Sequence, residues 1–309
     1  MELDRFLYDL LRQGLAAATS QLGSQFDQLA ARLVDAQAPG LARLVRELGE
    51  LAGVGPNWQS RFLSRVARLH LVTQGYRRLA DLPSEVQADL RTLVGWNTIR
   101  DEVLASEPVG GVWCVVAQQT REEDRLTVQH NWLLRLEDGR AALLLNFSAL
   151  GAAVDCPLIV GTTIEAELCY YPSAAPLRAI VKQSQSSQTL TQVPGLTTID
   201  ALLDDFSQGL ALNPWSEAWP VALTGVTMQP LSTERGDPPR WGLVDSQDEV
   251  LPIADNFTAG WTLLAVSGGE PFDCVGLWNG ESFQPFGALV ANGYHACARD
   301  GVRAPIGAA

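Results

Sequence analysis

Apolar residues recur every three or four positions through the first hundred residues, and every second position after that. Leu3, Phe6, Leu7, Leu10 and Leu11 make the stripe that one helix face needs to bury, and Phe26, Leu29, Ala30, Leu33 and Val34 repeat it. Ser24 stands ahead of the second stripe as an N-cap. Pro39-Gly40 interrupts the pattern before Leu41, Leu44, Val45 and Leu48 restart it. Gly53-Val54-Gly55-Pro56 is a further break, with Pro56 placed to open a helix that runs to about Leu79 and turns Phe62, Val66, Leu69 and Tyr76 inward. Ser84-Glu85-Val86-Gln87 spells a capping box, Gly95 a stop, and Asn97 to Ala105 one more short helix. Six short amphipathic helices without a fixed repeat period predict an orthogonal or solenoid-like bundle.

Beyond Pro108 the alternation is that of strands. Leu126, Val128, His130, Trp132, Leu134 and Leu136 fall on one face of a long strand, and Thr127, Gln129, Asn131 and Arg135 on the other. With Val112 to Thr120 before it and Ala141 to Phe147 after it, the pattern predicts an antiparallel meander, followed by strands over Thr162 to Tyr171 and Leu177 to Lys182. Residues 183–192 are Gln, Ser or Thr at nine of ten positions, a linker composition. A short helix from Thr198 to Leu210 and a second β-rich block from Pro220 to about Val290 come next. Trp278-Asn279-Gly280-Glu281 there favours a type I′ hairpin turn, and the Gly/Ala/Pro tail after Asp300 reads as frayed. The expected fold class is therefore α+β. An N-terminal all-α helical bundle spans residues 1–106 and an antiparallel β domain 107–182. A polar linker covers 183–196, and a helix plus a second β-rich domain 197–309.

Charge changes this picture by sharpening the boundary near residue 106. Residues 1–105 hold 12 acids and 12 arginines, whereas the remainder holds 23 acids and 10 bases and carries the whole net charge of −13. So acidic a β half disfavours nucleic acid, whose phosphates need Lys and Arg. The single lysine, Lys182, against 21 arginines reads first as biased codon usage. Only 18% of the residues are charged and 47% are apolar, which argues against disorder. Cys114, Cys156, Cys169, Cys274 and Cys297 are odd in number and never paired as CxC or CxxC, so a disulfide framework or a self-contained zinc finger is not expected. An acidic N-terminus without a signal-peptide pattern, and no apolar run long enough to span a bilayer, predict a cytoplasmic protein.

Motifs for chemistry are sparse. Neither GxxxxGK[ST] nor GxGxxG occurs, and Ser267 in Val266-Ser267-Gly268-Gly269 lacks the first glycine of a hydrolase elbow. His70 and His130 read as hydrogen-bonded core histidines. His295-Ala296-Cys297 offers two zinc-ligand types where a structural site needs four. Asp245-Ser246-Gln247-Asp248-Glu249 lacks the glycine and glutamate of a calcium loop and reads as a polar hairpin turn, as does Glu122-Glu123-Asp124. No catalytic, cofactor or metal residue is assigned. Two groups stand out as partner contacts. Arg61, Arg65 and Arg68 make a basic stripe that would dock an acidic surface or face acids such as Asp35, Glu47 and Glu50. Trp215 and Trp219, four apart around Glu217, would anchor a partner or pack between the short helix and the second β block.

Several stretches together resemble one bacterial family. They are Arg12-Gln13-Gly14-Leu15-Ala16, Asp35-Ala36-Gln37-Ala38-Pro39-Gly40-Leu41-Ala42, Leu79-Ala80-Asp81-Leu82-Pro83, Leu93-Val94-Gly95-Trp96, Glu122-Glu123-Asp124-Arg125-Leu126 and Tyr171-Pro172-Ser173-Ala174-Ala175-Pro176-Leu177-Arg178-Ala179. Over roughly residues 2–182 the chain resembles the region downstream of the finger in bacterial SWIM zinc-finger proteins. Their genes commonly accompany MoxR-class AAA+ ATPases and von Willebrand factor A domain proteins. The finger itself, a CxC followed by CxH, has no counterpart here, so zinc is expected only if an upstream SWIM finger exists. The resemblance implies a non-enzymatic adaptor with those two protein partners. An enzyme with a carboxylate-based site in the acidic β region, and nucleic-acid binding through the helical third, are the alternatives.

Overall fold

A computed structural model of the chain describes residues 2–15, 23–55, 57–96, 98–123, 126–149, 152, 154, 156–231 and 239–297. The expectations placed on Ala16, Pro56, Asn97, Asp124, Arg125 and the tail after Asp300 lie outside those residues. The chain divides into two compact units, the first reaching to Ile99 and including Pro172–Ala174, the second holding the remainder.

The first unit is helical: α1 (Glu2–Gln13), α2 (Gly23–Asp35), α3 (Pro39–Leu51), α4 (Trp58–Arg77), a 3₁₀ turn (Leu79–Asp81) and α5 (Ser84–Val94). The apolar stripes point inward as their spacing requires, with Leu3, Leu7 and Leu10 of α1 and Phe62, Val66, Leu69 and Val72 of α4 all buried. Phe26 of α2 is central, meeting Phe6 and Phe62 edge-on. Gly49 of α3 makes room for it, since a Cβ there would lie 3.0 Å from its ring. The start of α3 and the end of α5 meet backbone to backbone. A Cβ on Gly95, itself left-handed at φ 106°, would come 2.6 Å from the Gly40 nitrogen. Gly95 ends α5 as expected, its N–H donating to Arg91 and Thr92 carbonyls. The capping box is not formed. Pro83 takes the N-cap position, Ser84 donates to Glu85, and Gln87 reaches back to the Leu82 carbonyl instead of an N–H. Ser24 likewise lies inside α2 rather than ahead of it.

The second unit opens with α6 (Arg100–Leu104) and then builds a closed five-stranded barrel. Its strands are β1 (Val109–Glu123), β2 (Leu126–Arg135), β3 (Ala141–Ala149), β4 (Thr162–Tyr170) and β5 (Arg178–Thr189), in the order β1-β2-β3-β5-β4. β1 pairs with β4 through Val109–Val115 and with β2 through Trp113–Glu123, and a bulge between Val115 and Ala117 turns it from one neighbour toward the other. β3 and β5 pair in parallel at Leu143 and Arg178, and every other pairing is antiparallel. This is a Greek-key barrel of the OB kind. Trp113, Val115, Leu133, Leu144, Ile164 and Leu168 fill its interior.

The linker expected at 183–196 is corrected over its first half. Gln183 to Thr189 belong to β5 and pair with Thr162 to Glu167 of β4. The pairing is made by main-chain groups, which any side chain permits, and the Gln, Ser and Thr side chains described there are exposed.

After α7 (Ile199–Leu212) comes a six-stranded antiparallel sheet of β6 (Trp219–Leu231), β7 (Arg240–Val244), β8 (Val250–Pro252), β9 (Phe272–Trp278), β10 (Phe283–Val290) and β11 (Gly293–Ala296). Its order is β11-β10-β9-β6-β7-β8. Helices α7 and α8 (Gly260–Ser267) pack on one face through Ile199, Leu202 and Leu263. The barrel packs on the other, where Trp132, Leu134 and Leu143 meet Val275, Leu277 and Phe286. The Asn-Gly turn is corrected as well. Trp278 pairs with Phe283 across a four-residue connection, and only Gly280 has positive φ. Asn279 instead accepts from the Glu281 and Ser282 N–H groups at 2.8 Å.

Candidate functional site

Arg61, Arg65 and Arg68 share one side of α4, but they do not form a uniform exposed stripe. Arg61 is exposed and donates to the Val54 carbonyl at 2.7 Å. Arg65 and Arg68 are half-buried. Burial pulls the Arg65 guanidinium down while Glu47 of α3 opposes it, and burial together with Arg65 takes Arg68 down to about 10. Both stay charged at neutral pH.

Trp219 lies against α7. Its ring meets Phe206 edge-on at 6.3 Å, its Nε1 donates to Asp205, and Gly209 provides the flat surface beneath it. Trp215 is half-buried, with its backbone N–H donating to the Asn213 side chain.

Two charged arrangements escaped the sequence. Asp4 of α1 is buried, accepts from Thr73 Oγ1, pairs with Arg77 and stands 3.6 Å from His70 Nδ1. His70 is thus a half-exposed partner of a carboxylate and not a core residue. Asp245, at the β7–β8 turn, accepts from Gln247 and Glu249 within the turn and from Ile199 at the start of α7, at 2.8–3.0 Å. Burial would raise this carboxyl, but the three donors outweigh it and hold it below the usual range. The turn expected from the sequence is present, and it also caps a helix. Thr198 adds the conventional cap through Ala201. Their signal is the acid or hydroxyl at a helix start, which only tertiary pairing locates.

Other acids answer to structural donors: Asp138 to Arg135, Asp255 to Arg240, and Asp273 to the Gly225 N–H at the bulge in β6. His295 Nε2 is 2.8 Å from Asn292 Oδ1. Burial pushes the Cys297 thiol up to about 12 and Cys274 well above its ordinary value, leaving both protonated. Among the described residues no group of three or more His, Cys, Asp or Glu is placed to hold a metal ion, and no helix is long and apolar enough to cross a membrane.

The barrel supplies the densest polar chemistry. The face of β2 that alternates with the Trp132 face points into its interior, where Asn131 is fully buried. Gln118 donates to Asn131 at 2.8 Å, Asn131 donates to Asn146 at 3.0 Å, and the Cys156 thiol stands 3.6 Å from the Asn131 carbonyl oxygen. This carboxamide ladder satisfies Gln118, Asn131 and Asn146 inside a closed barrel, while Gln129 Oε1 on the same face of β2 is buried without a hydrogen-bond partner. On the outer face, Ala117 is opposite Trp132 and Gln119 opposite His130, while Leu143 and Leu145 flank from β3. His130 is only 3% exposed. Burial takes its imidazole down to about 4, the Arg121 and Arg178 charges push the same way, and a hydrogen bond to the Val128 backbone opposes them. His130 is thus the buried, hydrogen-bonded core histidine expected, while its Nδ1 has no partner in close hydrogen-bond geometry. Barrels of this kind read oligonucleotides on the outer face of strands 2 and 3, and here the sheet covers that face at Trp132, Leu134 and Leu143.

No curated protein matches the chain. Residues 1–94, the helical third of the chain, match the family model of the SWIM-associated four-helix bundle domain.

Proposed function

We propose that the chain is a non-enzymatic cytoplasmic adaptor that works with a MoxR-type AAA+ ATPase and a von Willebrand factor A domain protein in assembling or remodelling other proteins. The match of residues 1–94 to the SWIM-associated bundle is the observation that supports the reading, because the partner set comes with the resemblance to that family. The engaged acids and the high-pKa thiols of the second unit are in keeping with it. Half-buried Arg65 and Arg68, still charged, and exposed Arg61 offer the basic surface for an acidic partner. Zinc belongs to this reading only if the DNA ahead of Met1 encodes an in-frame CxC…CxH. Affinity capture of the full chain from its native cell tests the proposal. Recovery of the ATPase or the von Willebrand protein, weakened in an Arg61→Glu, Arg68→Glu variant, is expected. Recovery of neither overturns it.

A further inference from the structure

Three polar atoms on one stretch of the barrel's outer face are buried without a hydrogen-bond partner: Gln119 Oε1, His130 Nδ1 and Trp132 Nε1. The register places them together. Gln119 is opposite His130, Ala117 is opposite Trp132, and residues two apart along a strand share a face. His130 and Trp132 are 3% and 1% exposed, so bulk water does not serve them. Leaving such groups unmet is costly, and native proteins fill the place with a ligand or an ordered water.

The three groups have one capability in common. Trp132 Nε1 is a donor only, His130 Nδ1 donates in one tautomer, and the Gln119 carboxamide donates when turned about its last bond. The charges that act on His130 are positive, those of Arg121 and Arg178. Arg178 is stacked 4.4 Å over Tyr171 and held by the strand next to β3. One residue pair further along β3 the same face reaches solvent at Phe147, which is 52% exposed. We infer that Gln119, His130 and Trp132 form a binding site for a small oxyanion, a carboxylate or phosphate group, entering from the Phe147 side of the barrel. The site stands independently of the adaptor role.

The test uses the intact protein and follows the Trp132 indole N–H resonance, assigned with Trp132→Phe, during titration with sodium acetate and with sodium phosphate. Sodium chloride at matched ionic strength is the control. A saturable shift with one of the two anions is expected, and which one responds identifies the group. Gln119→Leu and Arg178→Met, each checked for an unchanged circular dichroism spectrum, are expected to weaken it by about tenfold or more. A shift no larger than that with chloride, an unaltered response in Gln119→Leu, or a crystal structure grown with the anion that shows only ordered water there would overturn the inference.

Discussion

Gly209 and Trp219 are in face-to-surface contact: a methyl group on Gly209 would fall no more than 3.0 Å from three of the indole's ring carbons. The glycine, mid-helix in α7, is therefore what lets the helix lie on the first residue of β6. Gly209→Ala gains helix propensity but forces the indole away, and overpacking of this kind costs about 1–3 kcal/mol. The urea midpoint is expected to fall. A variant as stable as the parent would show that the helix shifts at no cost.

Removing Asp4 leaves Arg77 beside a buried gap and frees Thr73 Oγ1 from its carboxylate partner. Breaking a buried pair from one side costs about 3–5 kcal/mol, partly offset here because Arg77 is half-exposed. Asp4→Ala is expected to destabilise more than Arg77→Ala, since the arginine reaches water and the carboxylate does not. Denaturant unfolding of the two variants and of their double mutant measures the coupling.

His130 makes stability fall in mild acid. Its folded pKa of about 4 lies below the ordinary value near 6.5. Below pH ~6.5 the unfolded chain takes up a proton that the folded chain refuses, so this contribution is full above that pH and is lost as pH falls toward 4. The loss amounts to roughly 3 kcal/mol. Thermal midpoints measured from pH 7.5 to 4.5 are expected to drop more steeply in the parent than in His130→Gln, and parallel curves would refute the assignment.

Asp245 acts at lower pH. Its carboxyl is held below the unfolded value near 3.9, so its contribution is complete above that pH and disappears as pH falls through the folded pKa. Asp245→Ala also strands the Ile199 N–H at the start of α7. A loss of about 1–3 kcal/mol at pH 7 is expected, shrinking below pH 3.5, with urea midpoints at the two pH values as the check.

The helical third was the legible part of the sequence, because Leu3, Leu7, Phe26, Phe62 and Val66 bury on one face and nothing else competes for their positions. Strand β2 shows why the second unit was harder. A strand between a filled barrel and a packed sheet is buried on both sides, so Asn131 on its polar face is as inaccessible as Trp132 on its apolar one. Alternation still reads correctly as a strand but does not tell which side meets water. The pairings of Asp4 with α4 and of Asp245 with α7 join residues far apart in the chain, and no local pattern announces them. The Arg61, Arg65 and Arg68 spacing was visible, whereas the unequal exposure of its members follows from how α3 and α4 pack.

The polar tract in β5 also bears on where the gene can be cut. A fragment ended at Lys182, the junction that composition recommends, would strip Thr162 through Glu167 of their partners in β5 and leave them paired with β1 alone. It would trade a sealed ring of strands for a bare ladder of amides open to recruitment by neighbouring chains. Shears belong beyond Leu190, whose own side chain is packed away and which exposed Thr191 and Gln192 follow.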